Sequence, residues 1–144
     1  MATIDPEQVP DVPFKDQLVP AKVYDVHDGD TVHVLLAFGN QPVKFAIRIL
    51  GIDTPEVRAG EGRLPQEKIA GLKARDYLKS ILIGQVQVKI HDWDKYGGRL
   101  LGDIILLNGQ SVSQVMLDSG YGKPYHGEKK QTWTLHELQS GPFA

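Results

Sequence analysis

The order of the predicted elements in this 144-residue chain indicates an α+β fold that is mainly β. Five short segments have the residue pattern of strands, and two other segments have apolar residues at helical spacing. Their order is three strands, a helix, two strands and a second helix. Five short strands with a helix between the third and the fourth are the layout of an OB-fold barrel. We therefore expect a five-stranded OB-fold barrel with a second helix after the fifth strand.

The first three strands are predicted from runs rich in β-branched residues. Residues 21–26 and 31–36 flank an Asp-Gly-Asp turn at 28–30, which is typical of a hairpin. The third strand covers residues 43–50. Its apolar residues share one parity, so the side chain of Arg48 is expected on the opposite face.

The first helix is expected to begin at Pro65, because proline suits a first helical position, and to stop at Gly84. Seven residues at helical spacing are predicted to form its apolar stripe: Ile69, Ala70, Leu72, Ala74, Leu78, Ile81 and Leu82.

The remaining elements follow the same two patterns. Residues 86–90 alternate as a fourth strand, and residues 99–107 form the predicted fifth strand. Ser111 is then expected to cap a second helix that closes at Gly120.

The composition is that of a soluble globular protein. Apolar residues make up 41% of the chain, and the absence of cysteine excludes disulfides, thiolate catalysis and cysteine-ligated metal sites. No apolar run has the length of a membrane-spanning helix, and the N-terminus lacks a basic and apolar leader. We therefore expect a cytoplasmic monomer that does not contact membranes, with secretion after removal of a leader as the alternative.

The charge of the chain is distributed unevenly although its net value is only −2. Residues 1–30 hold two lysines against seven carboxylates, whereas residues 44–99 hold eleven basic against seven acidic residues. This pattern indicates an anion-binding face beside a carboxylate cluster, with an ordinary solvated surface as the alternative. We divide the chain into an acidic, proline-rich arm at 1–17, one domain at 18–133 and a short tail at 134–144.

Three short stretches carry residues suited to chemistry. Each has an ordinary explanation when taken alone: a hairpin turn, a strand end with solvated charges, and a tight glycine turn. The acidic residues around Gly29 do not have the spacing of an EF-hand loop, and the five histidines form no ligand pair at a useful spacing. The stretches are Asp28-Gly29-Asp30-Thr31, Arg48 with the following Asp53-Thr54-Pro55-Glu56, and Asp94 to Arg99.

Together, and in this order, the three stretches resemble the thermonuclease family, whose type member is staphylococcal nuclease. A fourth stretch, 115–125, is similar to the helix end and the tyrosine-bearing segment of that family. The resemblance covers roughly residues 18–133 and implies an OB-fold nuclease. Gly98 is an extra residue beside the Tyr-Gly-Arg turn of staphylococcal nuclease, and we expect Arg99 to reach the same phosphate.

The resemblance implies a Ca²⁺ site that is built from oxygen donors. Asp30 and Asp53 would supply carboxylate ligands, and Thr54 would add its backbone carbonyl. Asp28 would lie just outside this shell and orient a ligand water.

The resemblance also implies residues that act on the phosphodiester. Glu56 would hold or deprotonate the attacking water, while Arg48 and Arg99 would grip the phosphate with planar, permanently charged guanidinium groups. Lys95 and Tyr96 would contact a terminal phosphate. The last candidates are two tyrosines that either stack on a base or pack in the core: Tyr121 and Tyr125.

The leading hypothesis is a Ca²⁺-dependent nuclease that cuts DNA and RNA with little sequence preference. The alternative is a weak or inactive OB-fold module that binds single-stranded nucleic acid or a protein partner. A calcium-binding structural domain would leave both arginines without a role. The sequence favours the enzyme, because the residues that inactive relatives typically lose are present: Asp30, Arg48, Asp53, Glu56 and Arg99.

Overall fold

The computed structural model describes residues 3–10, 14–58, 60–94 and 98–144. These residues form seven strands and three α-helices, with short 3₁₀ turns at Pro6–Gln8 and Gly141–Phe143. The strands are β1 (Leu18–Asp28), β2 (Thr31–Phe38), β3 (Gln41–Ile49), β4 (Gly51–Asp53), β5 (Gln85–Trp93), β6 (Leu100–Ile105) and β7 (Lys123–Tyr125). The helices are α1 (Pro65–Ile81), α2 (Val112–Asp118) and α3 (Leu135–Leu138).

Five of the strands close into a barrel in the order β1-β2-β3-β6-β5, with β5 pairing back onto β1. The pairing of β3 with β6 is parallel, and the other pairings are antiparallel. Helix α1 lies between the third and the fourth barrel strand, and α2 follows the fifth. The predicted fold, a mainly β OB-fold barrel with this helix placement, is confirmed.

The barrel interior is filled by the inward-facing parity of each strand, as the alternation in the sequence predicts. Val32, Val34, Ile47, Ile49 and Val88 are completely buried there. Because the side-chain period of a strand is two, the same alternation also fixes which residues face away from the core.

Helix α1 buries part of the predicted stripe, because Ala70, Ala74 and Leu78 are buried as predicted. Ile69, expected to face the core, is 59% exposed, whereas Glu67, Ala70 and Gly71 are buried. The helix has glycine at position 71 because backbone lies directly against it there. A Cβ atom on Gly71 would come within 2.7 Å of the carbonyl group of Glu56. The prediction failed at Ile69 because the spacing of apolar residues does not show which face of the helix meets the barrel.

Two three-residue strands outside the barrel were not predicted. Strands β4 and β7 pair antiparallel, with Gly51 opposite Tyr125 and Asp53 opposite Lys123. Three residues are too few to show an alternating pattern in the sequence. This pairing attaches the segment after α2 to the whole of β4.

The C-terminal segment, 134–144, packs on the domain. Thr134 begins α3 with a capping box, and Leu138 and Phe143 belong to the buried core. The Phe143 ring makes edge contacts with Tyr121 and Trp133, at centroid distances of 5.4 and 6.2 Å. In the described ranges, no helix combines the length and the apolar character that a membrane crossing requires.

Replacing Gly102 by alanine should disturb the barrel. A Cβ atom at this position in β6 would overlap the carbonyl oxygen of Lys89 in the paired strand β5, and backbone atoms cannot give way cheaply. We expect Gly102→Ala to lower the free energy of unfolding by about 1–3 kcal/mol or more. At Gly60, a Cβ atom would meet only the flexible end of Arg63, so Gly60→Ala should stay within about 0.5 kcal/mol. Urea unfolding measures both, and equal losses would contradict the explanation.

Candidate active site

Three carboxylates are buried together at one end of the barrel. Asp28 ends β1, Asp30 lies in the turn to β2, and Asp53 ends β4; each is 4% exposed. The amide of Asp30 donates to Asp28 Oδ1 at 3.1 Å, and the amide of Thr54 donates to Asp30 Oδ2 at 3.3 Å. The hydrogen bond from the Thr54 amide to Asp30 thus joins the residue after β4 to the β1–β2 turn.

The negative charge of this cluster is only partly offset by its surroundings. Burial, followed by the nearby charge of Asp30, raises the pKa of Asp28 to about 8. A positive charge bound next to these carboxylates would stabilise their ionised form.

Thr54 adds a further oxygen to the cluster. Its side chain is 1% exposed, and its hydroxyl has no hydrogen-bond partner among the described residues. A Cβ atom on Gly29 would come within 2.8 Å of the Thr54 side chain, so glycine lets the turn lie directly on Thr54. A buried set of oxygen donors with an unsatisfied hydroxyl fits a hard cation.

The protein donors alone do not form a complete cation site. In the part of the chain that the structure describes, no three acidic or histidine side chains are grouped as a ready-made metal site. A cation held by two carboxylates and a backbone carbonyl would need further oxygens from water or substrate.

Arg48 is held firmly beside this cluster. Its guanidinium donates to the carbonyl oxygens of Ile49 and Ile52, the latter at 2.9 Å, and lies 3.4 Å from Asp30 Oδ2. The side chain is 10% exposed. Because a guanidinium group is permanently charged in proteins, Arg48 places a fixed positive charge next to the carboxylates.

Arg99 approaches from the start of β6. The left-handed backbone of Gly98, with φ of 63°, precedes it. Both its Nε and one terminal nitrogen donate to Asp94 Oδ2, at 3.2 and 2.7 Å. The parallel pairing of β3 with β6 sets Arg48 opposite Leu101, so both arginines lie at the same end of the barrel.

A pocket of about 550 Å³ opens between the two arginines. Arg48 and Arg99 line it together with Tyr125, His126 and Lys130. Its basic and aromatic lining suits an anion that carries a flat ring.

Glu56 lines a neighbouring pocket of about 310 Å³, which it shares with Asp53 and Thr54. Its backbone amide donates to Glu67 Oε2 at 2.9 Å, and Glu67 is buried in the first turn of α1. Gly71, one turn further along α1, lies against the carbonyl of Glu56. Helix α1 therefore fixes both sides of the Glu56 backbone and half-buries its side chain beside Asp53.

Asp53 is also held from the C-terminal part of the chain. The indole Nε1 of Trp133 donates to Asp53 Oδ2 at 3.2 Å, and Lys130 Nζ lies 3.4 Å from Asp53 Oδ1. Both carboxylate oxygens thus have partners from one short segment.

The structure brings most of the sequence-predicted site residues to one end of the barrel: Asp28, Asp30, Arg48, Asp53, Thr54, Glu56, Arg99 and Tyr125. Tyr121 lies elsewhere, because its ring stacks on Tyr77 at 4.4 Å within the core; of its two predicted roles, packing fits this position. Lys95 and Tyr96 lie outside the described residues.

Sequence reasoning gave no role to five residues that contact or line the site: Glu67, Asp94, His126, Lys130 and Trp133. The carboxylate of Asp94 stands five residues before Arg99, and this short spacing was the one available signal. The others are distant in sequence from the residues they contact.

Comparison with known proteins bears on the identity of this site. The family model described as staphylococcal nuclease homologue matches residues 46–141. A relative from Bacillus subtilis (strain 168), named Endonuclease YhcR, is 32% identical over 127 residues, which cover 83% of this chain and 10% of that protein. An "Uncharacterized endonuclease" from Escherichia coli O157:H7 is 31% identical over 103 residues, which cover 71% of this chain and 58% of that protein.

A plant relative shows the same similarity. "Staphylococcal-like nuclease CAN1" from Arabidopsis thaliana is 35% identical over 95 residues, which cover 63% of this chain and 26% of that protein. The chain thus spans between a tenth and about three fifths of the length of these three relatives. The resemblance drawn from the sequence motifs is confirmed.

Glu67 should be required for the position of Glu56. Glu67→Ala leaves the Glu56 amide without its acceptor, so we expect a loss of about 1–3 kcal/mol in unfolding free energy and faster hydrogen exchange at that amide. Glu67→Gln keeps a side-chain oxygen at the same reach and should recover most of both effects. Urea unfolding and NMR-detected exchange measure them. Unchanged exchange at Glu56 in the alanine variant would contradict this role.

Proposed function

The chain belongs to the staphylococcal nuclease homologue family, and on that premise we propose that it is a Ca²⁺-dependent nuclease. It hydrolyses phosphodiester bonds of DNA and of RNA with little sequence preference. The observation that carries this proposal is the meeting of Arg48 and Arg99 in one pocket, beside buried carboxylates and Glu56.

The cation would be held by Asp30, Asp53 and the backbone carbonyl of Thr54. Asp28 would support this arrangement by accepting a hydrogen bond from the Asp30 amide. The burial of these carboxylates and the unpartnered Thr54 hydroxyl support a cation at this place. When bound, Ca²⁺ would supply positive charge against a phosphoryl oxygen.

The two arginines would bind the non-bridging oxygens of the phosphate. Arg48 is preorganised by Asp30 and two carbonyl groups, and Arg99 by Asp94, so little reorganisation is needed when charge grows on those oxygens. Lys95 and Tyr96 are proposed to contact a terminal phosphate.

Glu56 would hold the attacking water and take up its proton. The helix contacts through Glu67 and Gly71 fix its backbone, so its carboxylate starts from a defined position beside Asp53. The water oxygen would form a bond to phosphorus while the bond to the leaving oxygen breaks on the opposite side, and the leaving oxygen would take a proton from solvent.

Recognition would rest on the phosphate and sugar, because contacts to the backbone carry no sequence information. Tyr125 on the pocket wall would stack on a base, an interaction that tolerates any base. Both features support cleavage with little sequence preference. The protein is further proposed to act as a monomer in the cytoplasm.

The alternative, an inactive binding module, would need no positioned general base. The hydrogen bond from the Glu56 amide to a buried carboxylate favours the enzyme, since this device fixes a residue that a binding surface does not require.

Glu56→Gln should separate catalysis from binding. The substitution keeps the size of the side chain and removes the negative charge, so turnover should fall by about 10²–10⁴-fold while substrate affinity is unchanged or slightly higher. Cleavage of single-stranded DNA and of plasmid DNA, with Ca²⁺ and with chelator, measures the rate. Glu61→Gln, at an exposed position of the same pocket, is the matched control and should cleave like the wild type. A Glu56→Gln protein with full turnover would rule out the proposed base.

Asp53→Asn tests the cation site without removing the side chain. The amide oxygen can still accept from Trp133, so the protein should stay folded, as circular dichroism would verify. The lost charge should weaken Ca²⁺ binding and abolish detectable cleavage. Calorimetric titration with Ca²⁺ measures the affinity. Wild-type affinity in the folded variant would exclude Asp53 as a ligand.

A further inference from the structure

Lys130 lies where the two pockets of the site meet. Its Nζ is 3.4 Å from Asp53 Oδ1, and its side chain lines both the pocket of Arg48 and Arg99 and the pocket of Glu56. The ammonium group therefore faces the proposed positions of both the cation and the phosphate.

The two partners of this ion pair differ in their freedom. The Asp53 side chain is 6% exposed and also accepts from Trp133, whereas the Lys130 side chain is 44% exposed. A lysine carries a compact charge on a flexible four-carbon stem, so it can change partners without moving the backbone. If the pair breaks, Lys130 is the residue that moves.

A divalent cation at Asp53 would repel the ammonium group, because both would compete for the same carboxylate. Lys130 would then be near two kinds of anion, the carboxylates of Glu56 and Glu61 in one pocket and a phosphate between Arg48 and Arg99 in the other. The ring of Tyr125, 5.6 Å from Lys130 Nζ, lines that pocket and offers a face that attracts a cation.

We propose that Lys130 is a further phosphate-binding residue, which neutralises Asp53 when no cation is bound and turns to the substrate phosphate when Ca²⁺ takes its place. The inference builds on the proposed function, since it assumes Asp53 as the cation ligand. It differs from that function in assigning a role to the segment between β7 and α3.

The test compares Lys130→Gln with Lys129→Gln. Lys129 is exposed and forms no ion pair in the described part of the chain, so the control makes the same charge change one residue away. Both substitutions keep an aliphatic side chain with a polar end, and circular dichroism checks the folding of the variants. The probes are Ca²⁺ alone and thymidine 5′-monophosphate, which contains no phosphodiester bond to cleave.

We expect Lys130→Gln to bind Ca²⁺ about three- to tenfold more tightly than the wild type, because the competing charge is gone. It should bind thymidine 5′-monophosphate about three- to tenfold more weakly, with Ca²⁺ and with chelator. In chelator there are two reasons for weaker nucleotide binding. The variant lacks the positive charge of the Lys130 side chain, and the negative charge of Asp53 is left without that partner. Lys129→Gln should stay within about twofold of the wild type throughout.

Each outcome decides a separate point. Nucleotide affinities that are equal in the two variants would overturn the phosphate role, and a Ca²⁺ affinity no higher than that of the wild type would overturn the competition at Asp53. A wild-type protein that binds no Ca²⁺ would contradict the proposed function and the change of partner by Lys130. A wild type that does not bind the nucleotide under either condition would contradict both proposals.

Discussion

The site is governed by the burial of negative charge at one end of the barrel. Asp28, Asp30 and Asp53 are almost inaccessible, and a buried carboxylate is costly unless it is paired or hydrogen-bonded. Backbone amides, the guanidinium of Arg48 and the indole of Trp133 meet much of that requirement. These contacts join the β1–β2 turn, β3, β4 and the C-terminal segment, so the arrangement that stabilises the carboxylates also assembles the residues of the site.

Most of the fold follows from local sequence pattern because each barrel strand buries one face. Alternation is therefore visible in single segments, and the turn at Asp28-Gly29-Asp30 separates two of them. The buried face of helix α1 was harder to predict, since the backbone of Glu56 lies so close to the helix that only glycine fits at position 71. That contact joins residues from separate elements, so hydrophobic spacing within the helix wrongly placed Ile69 in the core.

The site residues that lie within short motifs could be predicted from the sequence. Those that come together only after folding could not. The carboxylates and arginines stand in three short stretches whose order carries the resemblance. Trp133 contacts Asp53 across 80 residues, and Glu67 binds the Glu56 amide across 11. Neither contact has a sequence signal, because an indole or a carboxylate at such a distance is equally compatible with a surface position.

The position of Trp133 gives the protein a spectroscopic property. Its indole touches Phe143 in the core on one side and donates to Asp53 on the other. Indole emission responds to the electric field and the mobility around the ring, so a change of charge at Asp53 alters the light that this residue emits. The second tryptophan, Trp93, packs on Phe45 with ring centroids 5.9 Å apart, and its replacement by phenylalanine would leave Trp133 as the only tryptophan that emits. Changes of charge at Asp53 can therefore be followed by tryptophan fluorescence, without an attached dye.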